Sequence, residues 1–233
     1  RHLSNLIQEM NQVIDYYDRI ARQYDDDRFG NSYGQYIDTQ ERQLLRRWKV
    51  GDKGEKTLEI AWGTGRLLDF ATAGVDASGE MLEIARTKHP AMRLEHALGN
   101  ATPFADGEFS TVYSFHLMMH LDIGEIREIL AEAHRLLHPG GRLIFDIPSS
   151  LRRRIARRPP SGWHGDTSMS LASVAALAVD NGFTLARSGG IMMLPVHRLP
   201  SFMRRFMRGI DSFLTRSPLK EYSSYLVVEL TRQ

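Results

Sequence analysis

Apolar positions along the chain fall first at helical spacing and then in alternating strand-like and helix-like runs. From Leu3 to about Tyr24, the residues Leu6, Met10, Val13, Ile14, Tyr17 and Ala21 recur at intervals that put them on one helical face, predicting an amphipathic helix. The polar cluster DDDRFGNSYG is expected to break it, and a second helix follows to Trp48, closed by the turn GDKGE. Strand and helix then alternate. TLEIA reads as a strand, GRLLDFA as a short helix, AGVDA as a strand, and SGEMLEIARTK as a helix with Ser78 as N-cap. MRLEHA alternates with period two, and FSTVYSFHLMMHL is a nearly continuous apolar run that suits a strand buried on both faces. DIGEIREILAEAHRLLHPGG predicts a helix stopped by Pro139 and two glycines, and RLIFDIP another strand.

After Ser149 the pattern changes. SLRRRIARRPPSGWHG is basic and broken by Pro and Gly, SLASVAALAVDNG is a helix ending at Gly182, and FTLARSGGIMML and YSSYLVVELTR are strands. Between those strands lies a basic amphipathic helix, Ser201–Thr215. Strands alternating with helices predict an α/β, doubly wound, mostly parallel seven-stranded sheet of Rossmann-like type. The last two strands lack a helical crossover of the usual kind and predict an antiparallel C-terminal strand pair. The expected organisation is a single domain over residues 1–233. It comprises an N-terminal helical cap (1–50), a cofactor-binding core (55–148), and a substrate-side loop, helices and closing strands (149–233).

Composition narrows the function. A chain of 233 residues, 42% hydrophobic, fits one domain able to bury roughly 70–75% of its unfolded surface. No apolar run approaches the roughly 18–20 residues of a membrane span, and no signal-peptide pattern opens the chain, so a soluble, cytoplasmic protein is expected. The absence of cysteine removes disulfides, thiolate metal sites and cysteine nucleophiles. The net charge of +2 hides an asymmetry: residues 1–150 hold 17 basic and 23 acidic residues, residues 151–233 hold 13 and 5. The basic half suits acidic small molecules, membrane surfaces or nucleic acid, or is simply a solvated face.

The stretch TLEIAWGTGRLL carries the first chemical signal. A strand feeding Gly63 and Gly65 and then a helix is an anion- and nucleotide-binding device, because glycine lets backbone approach a ligand closely. The next strand ends at Asp76, where a carboxylate can grip a ribose diol. A dinucleotide site would place that acid about 20 residues on and a third small residue at position 68. Asp76 is only 11 positions past Gly65 and position 68 is Leu, so a nicotinamide oxidoreductase is disfavoured.

These residues resemble the class I S-adenosylmethionine-dependent methyltransferases, small-molecule type, over roughly Tyr16 to Pro148. LEIAWGTGR, GVDAS with ML, GNATPFADGEFSTV and LLHPGGRLIFDIP stand for the family's motifs in order. The resemblance implies S-adenosyl-L-methionine as cofactor and S-adenosyl-L-homocysteine as product. It implies that Glu59 anchors the loop and the methionine end, and that the backbone of Ala61, Trp62, Gly63 and Gly65 lines the methionine moiety. Asp76 would accept both ribose hydroxyls, Ala77 and Met81 flank the adenine, and Asn100, where the family usually has Asp, together with Ala101 meets the adenine amino group. Phe115 and His116 would face the sulfonium and acceptor, with Tyr24, in ARQYDDDRF, lying over the cofactor. The chain departs from the family in having Ala61 at the first glycine, Trp62 at a small residue, a short first crossover and Asn100.

Methyl transfer needs an aligned nucleophile, and a base only where that nucleophile must shed a proton. His116 and His164 are the first candidates for that base, ahead of His120 and His197. The expected reaction is in-line methyl transfer to an O or N nucleophile of a small molecule, acidic or amphiphilic if Ser201–Thr215 is a lid. That helix reads either as an ordinary helix packing its apolar side on the core, or as a lid, a dimer contact or a membrane-surface helix. No nucleic-acid-binding module is appended, so nucleic acid is not the expected acceptor, while a lipid-like or macromolecular acceptor stays open. So does a non-catalytic binding module, favoured by an indole at position 62 that would have to stay clear of the cofactor.

Overall fold

The computed structural model describes residues 2–52, 54–157 and 167–233, with side chains described from Val13 onward apart from that of Ser201. Among these residues seven strands form one sheet: β1 (Thr57–Ile60), β2 (Ala73–Asp76), β3 (Arg93–His96), β4 (Phe109–Ser114), β5 (Leu137–Pro148), β6 (Phe183–Ile191) and β7 (Tyr225–Arg232). Their order is β3-β2-β1-β4-β5-β7-β6. Pairing is parallel from β3 to β5, and β7 runs antiparallel to both β5 and β6. The expected antiparallel end is therefore present, with β7 as the reversed strand.

Every residue of β1 and β2 is buried, as expected of parallel strands covered on both faces. On one face Ile126, Ile129 and Leu130 of helix α4 (Ile123–Leu136) and Val174 and Leu177 of α6 (Leu171–Asp180) pack against Leu58, Val112 and Phe145. On the other, Ile37, Leu44 and Leu45 of α2 (Ser32–Arg47) pack against Tyr113, Ile144 and Val227. From β1 the chain winds outward to β3 and then returns to β4 on the other side of β1. That reversal opens a crevice at the C-terminal ends of β1 and β4, the usual place for a ligand in such sheets.

Four local expectations are corrected. Helix α1 (His2–Phe29) runs through the aspartate cluster, because Asp25 is held by Thr64 and Lys88, and the break falls at Gly30, after which Asn31 caps α2. The first crossover holds only a 3-10 turn, Leu68–Phe70, instead of a short helix. Helix α4 ends at Leu136, ahead of Pro139 as expected, but the Pro-Gly-Gly segment that follows belongs to strand β5. The segment His138–Gly141 bulges within β5, so that Phe109 pairs with Leu137 and Thr111 with Arg142. The apolar run from Phe109 stops being strand at Ser114, beyond which His116 has a positive φ of 61° and Met118–His120 form a 3-10 turn.

Helix α3 (Gly79–Lys88) starts where expected, with the Ser78 hydroxyl accepting from the Met81 N–H at 3.1 Å. The remaining helices are α5 (Ser150–Ile155) and α7 (Ser201–Leu214). Among the described residues no helix is long and apolar enough to cross a membrane.

Candidate cofactor and acceptor site

A cavity of about 490 Å³ opens at the crevice. Its floor is the tips of β1 and β2 with Ile60, Ala61, Gly63, Val75 and Asp76, and its sides are Met81 of α3, Leu98–Asn100 and Ile129 of α4. The segment Phe115–Leu121 forms the wall after β4, and Val13, Ile14, Tyr17 and Tyr24 of α1 lie across the top. Helix α1 is fastened there by side chains of opposite loops: the Ser78 hydroxyl donates to Asp18, and the Thr64 hydroxyl to Asp25.

Asp76 sits at the tip of β2, buried. Its Oδ2 accepts the Gly63 N–H at 2.8 Å and its Oδ1 the Ser78 N–H at 2.9 Å. The carboxylate, which also feels the Ala77 amide, keeps acceptor capacity for a further donor. Burial pushes its pKa up to about 6 against the pull of those amides. Gly63 (φ 60°) leaves a hollow in front of the loop: a Cβ there would meet only the ring of Tyr24, at 3.9 Å.

Of the residues expected at the cofactor, Tyr24, Ala61, Gly63, Asp76, Ala77, Met81, Asn100, Phe115 and His116 line this cavity. Four do not. Glu59 lies behind the loop, on a small space of about 40 Å³ shared with Tyr24, Gly63 and Phe115. The Tyr113 hydroxyl donates to Glu59 at 3.2 Å, and burial, opposed by Arg66 and Tyr113, raises its pKa to about 8. Gly65 (φ 82°) faces an outer groove, its carbonyl 2.9 Å from His89 Nε2. Ala101 is exposed on a turn. Trp62 is only 4% exposed and belongs to the core, its indole lying over Gly74 and outside the large cavity. Asn100 uses its amide N–H on Glu128, at 2.7 Å, which leaves its oxygen as the remaining acceptor.

The expected base His116 is otherwise engaged. Its Nε2 lies 2.7 Å from Glu41 and its Nδ1 3.5 Å from Asp146, and both ring nitrogens are closed off from solvent. Burial would push the imidazole pKa down, but Glu41 and Asp146 outweigh it and hold it above its ordinary value. Burial would likewise lift Glu41, yet Arg66 and His116 keep its carboxyl near 2. His116 is thus the cationic centre of an ion cluster and presents no lone pair to the cavity. Glu41, Arg66 and Asp146 were not foreseen, because they come from three distant elements and meet only in the fold. His164 lies outside the described residues. His197 stacks edge-on against Tyr33 and does not line the cavity, whereas His120 does, with Nε2 3.1 Å from the Tyr17 hydroxyl.

Arg28, at the end of α1, is the other group sequence reasoning missed. Half-buried and outside the cavity lining, it lies within electrostatic reach of Tyr225, Tyr24, Tyr33 and Tyr17, and among the described residues it forms no ion pair. Tyr17 and Tyr24 are in edge contact at 5.9 Å, and Tyr225 stands edge-on to His116 at 5.6 Å, so these rings join Arg28 to the cavity wall.

The fold, the carboxylate at the β2 tip and the glycine loop beneath a helical cover define a class of protein. Residues 58–145 match the family model described as a methyltransferase domain, and the sheet around them has the Rossmann-like fold of class I S-adenosylmethionine-dependent methyltransferases. Among curated relatives, a demethylmenaquinone methyltransferase of Renibacterium salmoninarum is 30% identical over 155 residues, 60% of each chain. One of Chlorobaculum parvum is 32% identical over 103 residues, 41% of this chain and 42% of that one. The chain thus spans about half the length of the curated relatives it matches. Among solved structures, a possible histamine N-methyltransferase of Thermotoga maritima superposes with a TM-score of 0.72 at 19% identity, covering 93% of this chain and 98% of that one. Magnesium protoporphyrin IX methyltransferase of Synechocystis, solved with bound S-adenosylhomocysteine, gives 0.66 at 17% identity, covering 97% and 100%.

Proposed function

We propose that the protein transfers a methyl group from S-adenosylmethionine to a small, largely apolar acceptor that carries an acidic oxygen. The observation that supports this most is Asp76, a buried carboxylate at the tip of β2 with acceptor capacity to spare, on the floor of a cavity of about 490 Å³. That volume lies within the ordinary range of about 300–1,000 Å³ for small-molecule sites. The residues fit the cofactor: Asp76 for the ribose hydroxyls, Met81 and Ile129 against the adenine, the Asn100 oxygen for its amino group, and the hollow at Gly63 and Tyr24 for the methionine end.

The bound cofactor supplies an activated methyl carbon on a sulfonium, open to in-line displacement. The chain's own residues supply position and a dry surrounding. Tyr17, Tyr24 and Phe115 close the cavity from water, which favours alignment of the acceptor. Arg28, which lies behind Tyr17 and Tyr24 rather than in the lining, favours an acidic oxygen on the acceptor through its positive charge, since no carboxylate pairs with it among the described residues. Where the acceptor must lose a proton, it passes to the Tyr17 hydroxyl as that hydroxyl gives its own to His120 Nε2, in the place first expected of His116. The curated relatives are named for demethylmenaquinone, and a reduced quinone ring is an acceptor of this chemistry. The oxygen or nitrogen nucleophile expected from sequence remains the alternative among ring acceptors. The position of Trp62 in the core withdraws the observation that favoured a non-catalytic module.

The experiment is calorimetry with S-adenosylmethionine and S-adenosylhomocysteine, followed by release of S-adenosylhomocysteine on naphthoquinols, catechols, phenols and porphyrin carboxylates. His120→Ala should lower kcat about 10²-fold or more on the acceptor that turns over, with cofactor affinity unchanged. Absence of binding by either adenosyl ligand would overturn the cofactor, and equal turnover by His120→Ala would overturn the base.

A further inference from the structure

Helix α7 is built inside out. Apart from Met207, which packs on the core, its inward face is polar: Asp211, fully buried, accepts from the Tyr36 hydroxyl at 2.5 Å, from Gln40 Nε2 at 2.8 Å and from the Leu194 N–H at 2.7 Å. Arg204 also turns inward, donating to the carbonyls of Leu199 and His197. The opposite face carries Phe202, Phe206 and Phe213, spaced to lie in one stripe, and they are 82%, 74% and 72% exposed. Gly209 falls within that stripe and has open space around it. Arg205 and Arg208, both exposed, flank the stripe on one side. A helix that merely packed on the core would present the reverse arrangement.

The surroundings extend the same chemistry. The turn Pro218–Tyr222 touches both α7 and α5, and exposes Leu219 and Tyr222 between them. Helix α5 adds exposed Ile155 beside Arg154, with Arg157 just beyond. From Phe183 to Lys220 the only acidic residue is Asp211, and it is buried. Glu221, in the turn itself, is half-buried and accepts the Leu171 N–H, so the surface is three phenylalanines in a field of predominantly positive charge.

We propose that this face docks on an anionic lipid surface, with the phenylalanines of α7 entering the boundary of headgroups and acyl chains and the arginines meeting lipid phosphates. A basic amphipathic helix with large rings on its apolar side has the form that lies in such an interface. Charge decides against a second copy as the occupant. An isologous pair would set Arg205 and Arg208 against their own like, with no exposed carboxylate on the helix to relieve them. The inference stands apart from the acceptor assigned above.

The test is flotation of the full chain with vesicles of phosphatidylglycerol and phosphatidylcholine, against vesicles of phosphatidylcholine alone. The protein should float with the anionic vesicles only, and less at high salt. The triple substitution F202S/F206S/F213S and the single charge reversal R205E should each lower partitioning about tenfold or more. Both should keep the wild-type melting temperature and affinity for S-adenosylhomocysteine, since these side chains are exposed and far from the cavity lining. Failure of the wild type to float, equal flotation with neutral vesicles, or unchanged flotation of the triple variant would each overturn the proposal. So would a dimer in sedimentation that the triple variant abolishes while vesicle binding is absent.

Discussion

At the scale of single residues, the ribose-binding role proposed for Asp76 makes cofactor affinity a function of pH. Burial holds its pKa near 6, well above the ordinary 3.8, so the carboxylate becomes protonated within the range of an ordinary assay. A protonated acid has lost acceptor capacity for the ribose hydroxyls. Affinity for S-adenosylhomocysteine should therefore be flat above about pH 7 and fall by up to about tenfold per unit below 6. Asp76→Asn should bind at least about tenfold more weakly at pH 7.5 and show no such slope. Calorimetry from about pH 5 to 8 reads both, and a slope that persists in Asp76→Asn would assign the titration to another group. Asp76 was legible in sequence because an acid at a strand tip after a glycine turn is a local pattern. The cluster of Glu41, His116, Arg66 and Asp146 was not, since its members come from α2, the segment after β4, the glycine loop and β5. That is why His116, well placed by its position in the chain, proved to be paired and closed off.

At the scale of elements, the first crossover explains why a tryptophan is tolerated in the glycine loop. With only a 3-10 turn between β1 and β2, the side chain after Ala61 points into the core and fills space a full helix would cover. Strand β2 yields to it through Gly74, where a Cβ would come within 2.3 Å of the indole. Gly74→Ala should cost about 1–3 kcal/mol by overpacking. In a Trp62→Val background, already destabilised by about 2–4 kcal/mol from lost burial and a cavity, the same substitution should cost little. Chemical denaturation of the four proteins measures the coupling, and additive costs would show that the two side chains do not compete for the same space. The element pattern itself was largely readable, since strand and helix periods differ. The ends were less so. The aspartate cluster looked like a break because the sequence does not reveal that Asp25 has Thr64 and Lys88 as partners, and the bulge in β5 looked like a helix stop because proline and glycine serve both.

At the scale of the whole molecule, the site is maintained against the stability of the fold. Glu59 lies in the core with a pKa near 8 where an ordinary glutamate has 4.5, and burial raises Asp76 from 3.8 to about 6. For both, the folded state holds a proton that the unfolded chain has already released, so stability falls as pH rises, for Glu59 between about 4.5 and 8. His116 acts in the same direction. Its pKa is raised by Glu41 and Asp146, and the stability this gives is present below 6.5 and lost as pH climbs through the folded value. Glu41 works the other way, contributing above 4.5 and losing that contribution as pH falls toward about 2. The balance puts the stability maximum of the ligand-free protein on the acid side of neutrality, near pH 5 or somewhat below by these groups alone, lower than the common range of about 5–8. Melting temperature should then decline from about pH 5 to 8.5, and Glu59→Gln, which keeps the shape and removes the proton exchange, should decline less over the same span. Saturating S-adenosylhomocysteine should flatten the profile further by drawing Asp76 into its ionised form. A Glu59→Gln profile parallel to that of the wild type would mean that the buried glutamate is not what sets the slope, and that the cost of holding the loop is carried by the His116 cluster instead.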